Sequence, residues 1–241
     1  LSTPYDEPSS DYLEKLGVKA FKIASTDNNN IKLLAHIARK KIPIILSTGM
    51  MDMKTLEQSI RVIKKNKNFK ISILQCTSNY PCNLKDANLS LIKKFQKKFK
   101  IPVGFSDHTE GNLASIVATS LGASIIEKHF TLDKKLPGPD HIMSMNPIEL
   151  KQFISEIKSM SKLLGGKDKT VLSCETENFK KLKKSLVSKI EIKKGKKINI
   201  SMISAKRPGT GIKANFLHLI IGKKAIKNIP NNTMLKLNMF K

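Results

Sequence analysis

The 241-residue chain has only three cysteines, Cys76, Cys82 and Cys174. An odd number without C-x-x-C spacing excludes a closed disulfide framework and gives no zinc signature, so reduced thiols are expected. Long apolar runs are missing too. No stretch approaches the roughly 20 residues of a membrane span, and no basic start leads into an apolar segment. A cytoplasmic protein with no membrane partner is the simplest expectation. Methionine is absent from the start, where Leu1 runs straight into "STPYDEP", so an upstream portion is expected. Arginine is scarce, with Arg39, Arg61 and Arg207 standing beside 41 lysines. Acidic residues are few, which leaves a net charge of +25.

Such a charge raises the question of nucleic acid. The lysines, however, are spread over "KKNKNFK", "KKFQKKFK", "KKLKKS" and "KIEIKKGKK", with no DNA- or RNA-binding motif beside them. With abundant Asn and Ile, they read as a drift toward A/T-rich codons and as solvated surface. No nucleic-acid partner is expected, although a basic nucleic-acid or polysaccharide-binding module is the alternative from another class. An anionic small molecule would be drawn to this surface in either case.

Hydrophobic residues make up 40% of the chain, enough for a real core. Five runs rich in β-branched residues predict buried strands at 18–25, 42–48, 71–78, 101–108 and 123–130. The end of a further strand is predicted at Leu1–Pro4. Between them, helical spacing predicts helices at 31–40, with Ile31, Leu34, Ala35 and Ala38 on one face, and at 54–65, with Leu56, Ile60 and Ile63. More follow at 86–99, 112–121 and 146–164, the last with Asn146 as cap and Pro147 in its first turn. Strand and helix alternating in this way mean parallel βα units. Polar residues close the strands: Lys22 and Ser25, Ser47 and Thr48, Thr77 and Ser78, Ser106 and His108, Glu127 and His129. A (β/α)₈ barrel carries its site on that face, so the chain is read as α/β, a TIM barrel lacking its first strands over residues 1–164. A polar linker is expected at 165–184. A small β-rich domain is expected at 185–241, with turns at Lys194-Gly195 and Pro230-Asn231-Asn232 and a short helix near "ANFLHLII".

Two of the five histidines, His108 and His129, end neighbouring apolar runs. A strand-end histidine can be a metal ligand, a general base or a hydrogen-bonded core residue. His36 and His218 are read as structural, and His141 is left open.

The motifs "STPYDEPS", "FKIASTDNNN", "PIILSTGM", "CTSNYP", "GFSDHTEGN", "IEKHFTLDKKLPGPDH" and "KRPGTGI" together resemble the sialic acid synthases, which make N-acetylneuraminic, legionaminic or pseudaminic acid. The resemblance implies a TIM barrel joined to an antifreeze-like (SAF) domain. It implies condensation of phosphoenolpyruvate with an N-acylated amino sugar to a nine-carbon 2-keto acid, with release of phosphate. It also implies a manganese or magnesium ion on His108 and His129, which would leave coordination positions open to polarise the aldehyde. Thr3, Lys22, Ser25, Ser47 and Ser106 match residues that hold phosphoenolpyruvate, and Asp140 matches an aspartate on the sugar hydroxyls. Tyr80 matches the family's tyrosine. Asp27 stands where some members have a glutamate, and Ser78 where some have an asparagine. The resemblance implies a domain-exchanged homodimer in which Arg207 reaches the sugar's acyl-amino group in the partner's barrel. It places a site glutamate and a site lysine on two earlier strands, so this chain alone is expected to be poorly active. "LPGPDH" favours an N-acylmannosamine-type substrate over the pseudaminate precursor.

Overall fold

The computed structural model of the protein describes residues 1–166 and 168–241. The chain divides into two compact units, Leu1–Gly165 and Gly166–Lys241.

In the first unit, strands and helices alternate after an initial helix: α1 (Glu7–Lys15), β1 (Phe21–Ile23), α2 (Ile31–Arg39), β2 (Ile44–Ser47), α3 (Met53–Lys65), β3 (Ile71–Cys76), α4 (Ser90–Phe99), β4 (Val103–Asp107), α5 (Leu113–Ser120), β5 (Ile126–Lys128) and α6 (Pro147–Leu163). The five strands pair in parallel in the order β1-β2-β3-β4-β5. Spatial order that follows chain order belongs to a (β/α) barrel, whereas a doubly wound sheet reverses at a switch point. Each of the five predicted runs contains a strand, and the paired part is three to six residues long. At Leu1–Pro4 the structure has a single parallel bridge, Ser2 to Phe21.

Alternation divides every strand between two faces. Phe21, Ile23, Ile44, Leu46, Ile71, Ile73, Val103 and Phe105 face outward and are buried beneath the helices. Leu33, Leu34 and Ile37 of α2 meet them, with Leu56, Ile60 and Ile63 of α3, Ile92 and Phe95 of α4, and Ala114 and Ala118 of α5. Each large side chain so buried contributes about 1.5–3 kcal/mol. The α2 stripe is rotated from the expected one: Leu33 and Ile37 are buried, while Ala35 is only partly covered. Side chains close the helix starts. Asn30 accepts from Leu33 N, Asp52 from Thr55 N, and Asn146 with Glu149 forms a capping box ahead of Pro147.

Helix α1 was not expected from periodicity. Asp6 caps it through Ser9 N at 2.7 Å, but it buries only Ser10. Ion pairs hold it to α2 instead: Asp11 meets His36 Nε2 at 2.6 Å and also Lys40, and Lys40 reaches Glu14 at 2.6 Å.

In the second unit, part of the expected linker is ordered as a 3₁₀ turn at Ser173–Glu175 and helix α7 (Thr176–Leu182). Strands β6 (Ser185–Ser188) and β7 (Ile203–Lys206) pair antiparallel. Single bridges such as Val187 to Met234 and Ile192 to Ile229 extend the weave around Leu186, Ile192, Ile220 and Leu235. The expected turns contain Gly195 and Asn232, both at positive φ, and the expected short helix is a 3₁₀ segment, Ala214–Leu219. Among the described residues no helix is long and apolar enough to cross a membrane.

Candidate active site

The inner face of the first unit's sheet carries Lys22, Ser47, Cys76, Ser106, His108, Glu127 and His129 at the C-terminal strand ends, because each lies an even number of residues from its strand's other inward positions. Lys22 Nζ on β1 lies 3.1 Å from Glu127 Oε1 on β5. In a flat sheet four strand spacings would separate them by roughly 19 Å. The ion pair therefore requires a curled sheet whose inner side chains converge. Glu127 Oε1 also accepts from Ser106 Oγ at 2.7 Å, so one carboxylate gathers two of the expected site residues.

Both histidines join this group. The rings of His108 and His129 lie 5.3 Å apart, edge to face. Tyr80 covers them, 4.2 Å from His108 and 5.5 Å from His129. His108 Nδ1 lies 2.8 Å from Thr77 O. A carbonyl can only accept, so Nδ1 carries the proton and Nε2 keeps its lone pair when the ring is neutral. His129 Nδ1 lies 3.7 Å from the Asp140 carboxylate. Burial, and then the neighbouring His108, lower the His129 pKa. Burial acts in the same sense on His108, but the Cys76 thiol and the Thr77 carbonyl outweigh it and raise the pKa. Burial would raise Cys76; His108 and Ser25 instead bring it below its ordinary value. Tyr80 is raised by burial, with help from the negative charge of Cys76, Asp140 and Glu127.

A cluster of hydroxyls lies beside them. Ser25 Oγ donates to Cys76 Sγ at 3.5 Å, and Ser78 Oγ is 4.0 Å from the same sulfur. Gly49 allows the approach: a Cβ there would lie 2.3 Å from Ser78 Oγ and 2.6 Å from Ser25 Oγ. The Asn28 amide holds the loop behind β2 by donating to Ser47 O and Gly49 O. Ser47 is 1% exposed and its Oγ has no hydrogen-bond partner, the one such buried side-chain atom among the described residues. Leaving a buried hydroxyl unpaired costs about 1–3 kcal/mol, a cost that a ligand acceptor removes.

Other expected residues stand apart. Thr3 is one residue beyond the Ser2 bridge and partly exposed. The Asp27 carboxylate accepts from Thr26 Oγ1 at 2.7 Å in the turn after β1, and no described hydrogen bond joins it to the histidines. Asp140 lies at the edge of the group, beside His129, and its charge also reaches Tyr80. Arg207 is in the second unit, exposed, its Nε donating to Leu182 O at 3.2 Å. His36 sits in the α1–α2 ion-pair network, and His141 Nδ1 meets Thr131 Oγ1 at 2.7 Å within its own loop. Two residues that the motifs did not single out, Glu127 and Cys76, have central places. Their signal was the shared strand face, Glu127 with His129 and Cys76 with Ser78. A separate cleft of about 720 Å³ opens between α3 and α4, lined by Met53, Leu56 and Phe95, and touches the group only at Cys76, Thr77 and Ser78.

The donor chemistry suits a divalent cation on two imidazoles. His108 has its second nitrogen committed to a carbonyl, the usual arrangement around a metal-bound histidine, and burial favours the neutral form of His129. Among the described residues no cluster of three or more His, Cys, Asp or Glu is arranged to hold a metal. The protein's share would be two ligands, with other positions left to water or substrate.

Both units of the chain are similar to known proteins. The NeuB family profile matches residues 1–169, and that of the SAF domain matches 183–241. N,N'-diacetyllegionaminic acid synthase of Campylobacter jejuni is 41% identical over 98% of this chain and 71% of its own length. The Legionella pneumophila protein of the same name is 38% identical over 98% of this chain and 67% of its own. A crystal structure of N-acetylneuraminic acid (sialic acid) synthetase from Leptospira borgpetersenii, in complex with citrate, superimposes with a TM-score of 0.69 and 38% identity. That match covers 73% of this chain and 61% of the other, so the chain spans roughly two thirds of the length of its relatives.

Proposed function

The chain belongs to the NeuB family of sialic-acid-type synthases, and on that premise we propose that it condenses phosphoenolpyruvate with an N-acylmannosamine-type sugar, giving a nine-carbon 2-keto sugar acid and phosphate. The observation that carries this reading is the orphaned Ser47 hydroxyl, buried on the strand next to Lys22 at the open end of a curled sheet. Phosphoenolpyruvate brings a carboxylate and a phosphate, both acceptors. Lys22 supplies the cation and Ser25, Ser47 and Ser106 supply donors. C3 of phosphoenolpyruvate bonds to the aldehyde carbon, water adds at C2, and the tetrahedral centre expels phosphate.

His108 and His129 are the residues that would hold a manganese or magnesium ion, which supplies Lewis-acid polarisation of the aldehyde oxygen when bound. Glu127 orients Lys22 and Ser106 from a single oxygen. Tyr80 shields the two rings from one side and leaves its own edge half-exposed for a sugar. Asp140 beside His129 suits a contact to sugar hydroxyls. On this reading the protein works as a domain-exchanged homodimer, in which Arg207 serves the partner's site. Its two terminal nitrogens make no hydrogen bond among the described residues, which leaves a planar fork for an acyl-amino group. The two legionaminate-forming relatives favour an N-acylmannosamine-type substrate over the pseudaminate precursor.

Phosphate release by the protein that carries this chain, with phosphoenolpyruvate, Mn²⁺ and each candidate sugar, tests the assignment. Turnover should require metal and should vanish in His108→Ala and His129→Ala proteins that keep their circular dichroism. Wild-type rates from either variant remove the metal role, and faster turnover of the pseudaminate precursor removes the sugar assignment.

A further inference from the structure

Directly behind the two histidines, on the opposite face of the sheet, lies an ion pair that the reaction does not use. Asp107 of β4 and Lys128 of β5 are register partners, and their charged atoms are 3.0 Å apart. The Asp107 side chain is fully buried and that of Lys128 is 5% exposed. Every bonding position of the carboxylate is filled: Oδ1 accepts from Thr109 N and Thr109 Oγ1, both at 2.8 Å, and Oδ2 accepts from Ser115 Oγ of α5 and from Lys128. Lys128 Nζ donates across the strands to Thr109 O.

A buried ion pair contributes little net stability, because desolvation offsets the attraction, and apolar side chains of similar size often serve as well. What this one does is geometric. The β4–β5 ladder has three register pairs and ends at Asp107–Lys128. His108 and His129 are the next residues on each strand, one step beyond the last pairing. Pairing between β4 and β5 therefore does not set the distance between them, and the backbone bonds they do accept come from other segments, Cys82 N to His108 O and Met145 N to His129 O. The ion pair reaches past the end of the ladder. It fixes Asp107 before His108 and Thr109 after it, and anchors both to Lys128, from which His129 follows directly.

We infer that Asp107 and Lys128 are positioning residues that hold the His108 and His129 rings at their 5.3 Å spacing, close enough for the two imidazoles to share a cation. The cation clause rests on the proposed function; the spacing itself does not.

Three variants separate the two: Asp107→Asn, which keeps the acceptor for Thr109 N; Lys128→Met, which keeps the stem; and the double substitution, which leaves no unpaired charge and is expected to fold. In the metal-free wild-type protein, through-space NMR contacts should link the ring protons of Tyr80, His108 and His129. In the double variant, with unchanged far-UV circular dichroism, the contact between the two histidines should be lost, and Mn²⁺ affinity by calorimetry should fall about 10- to 100-fold, the usual penalty for losing a residue that orients metal ligands. A folded double variant that keeps the ring contacts overturns the inference. If the wild type shows the ring contacts but takes up no Mn²⁺, the metal reading of the site fails, and the NMR comparison alone decides the positioning role.

Discussion

Lys22 and Glu127 meet at 3.1 Å although four strand spacings separate β1 from β5. The pair joins the first and last strands of the sheet across its concave side. Replacing Lys22 by Met removes the cation on which an anionic substrate would rest. A hydrogen bond to a charged group contributes about 1.5–3 kcal/mol, so the KM for phosphoenolpyruvate should rise roughly 10- to 100-fold, with little change for the sugar. Equal effects on both substrates would show that Lys22 shapes the site as a whole.

Gly49→Ala tests the crowding at the mouth. The new methyl would meet Ser78 Oγ, Ser25 Oγ and, at 3.1 Å, Ser25 Cβ. Overpacking of this kind costs about 1–3 kcal/mol, so the denaturant midpoint should fall and phosphoenolpyruvate should bind more weakly. Adding Ser78→Ala removes the closest clash and should recover part of the stability. No recovery would place the strain elsewhere.

Tyr80→Phe and Tyr80→Ala distinguish ring from hydroxyl. The ring packs at a tilt against His108, and such aromatic contacts contribute about 0.5–1.5 kcal/mol. Phosphate release by Tyr80→Phe should stay near the wild-type rate, and Tyr80→Ala should lose about tenfold, the equivalent of roughly 1.4 kcal/mol. A matching loss in the Phe variant would assign the contribution to the hydroxyl.

Acid should act on the α1–α2 clasp. Lys40 first, then His36, lower the Asp11 pKa to about 2. A carboxylate depressed in the folded state stabilises it above the unfolded value, near pH 4, and loses that contribution as the pH falls toward 2. Urea midpoints of Asp11→Asn should lie below wild type at neutral pH, and the two should converge between about pH 4 and 2. A gap that is constant with pH would show that Asp11 acts through packing alone.

The strands were legible because a parallel sheet covered by helices needs continuous apolar runs. Their paired lengths were not, since Val18 and Ala123 are as apolar as their neighbours but lie outside the ladder. Helix α1 escaped periodicity because ion pairs dock it, with Leu13 against the core in place of an apolar stripe; only its cap Asp6 and Pro8 marked it. His108, Tyr80, Ser106 and Lys22 could be assembled from motifs and alternation. The part played by Glu127 could not, because it depends on the curl that brings β1 round to β5. Asp107 and Lys128 were hidden for a different reason: they face away from the mouth, and only the register makes them partners. Arg207 was legible as a lone arginine, while its tether to Leu182 lay in a segment expected to be linker.

The core around Phe21, Ile73 and Phe105 and the core around Leu186, Ile220 and Leu235 have no side chain in common. Each must therefore be kept above its own stability threshold by selection. A cavity opened at Ile220 draws down one margin, and a compensating substitution restores it by stabilising the same unit, among the eleven buried residues of that core or at its caps and turns. Suppressor mutations should segregate accordingly, so that the lineage records two separate histories of repair in one reading frame.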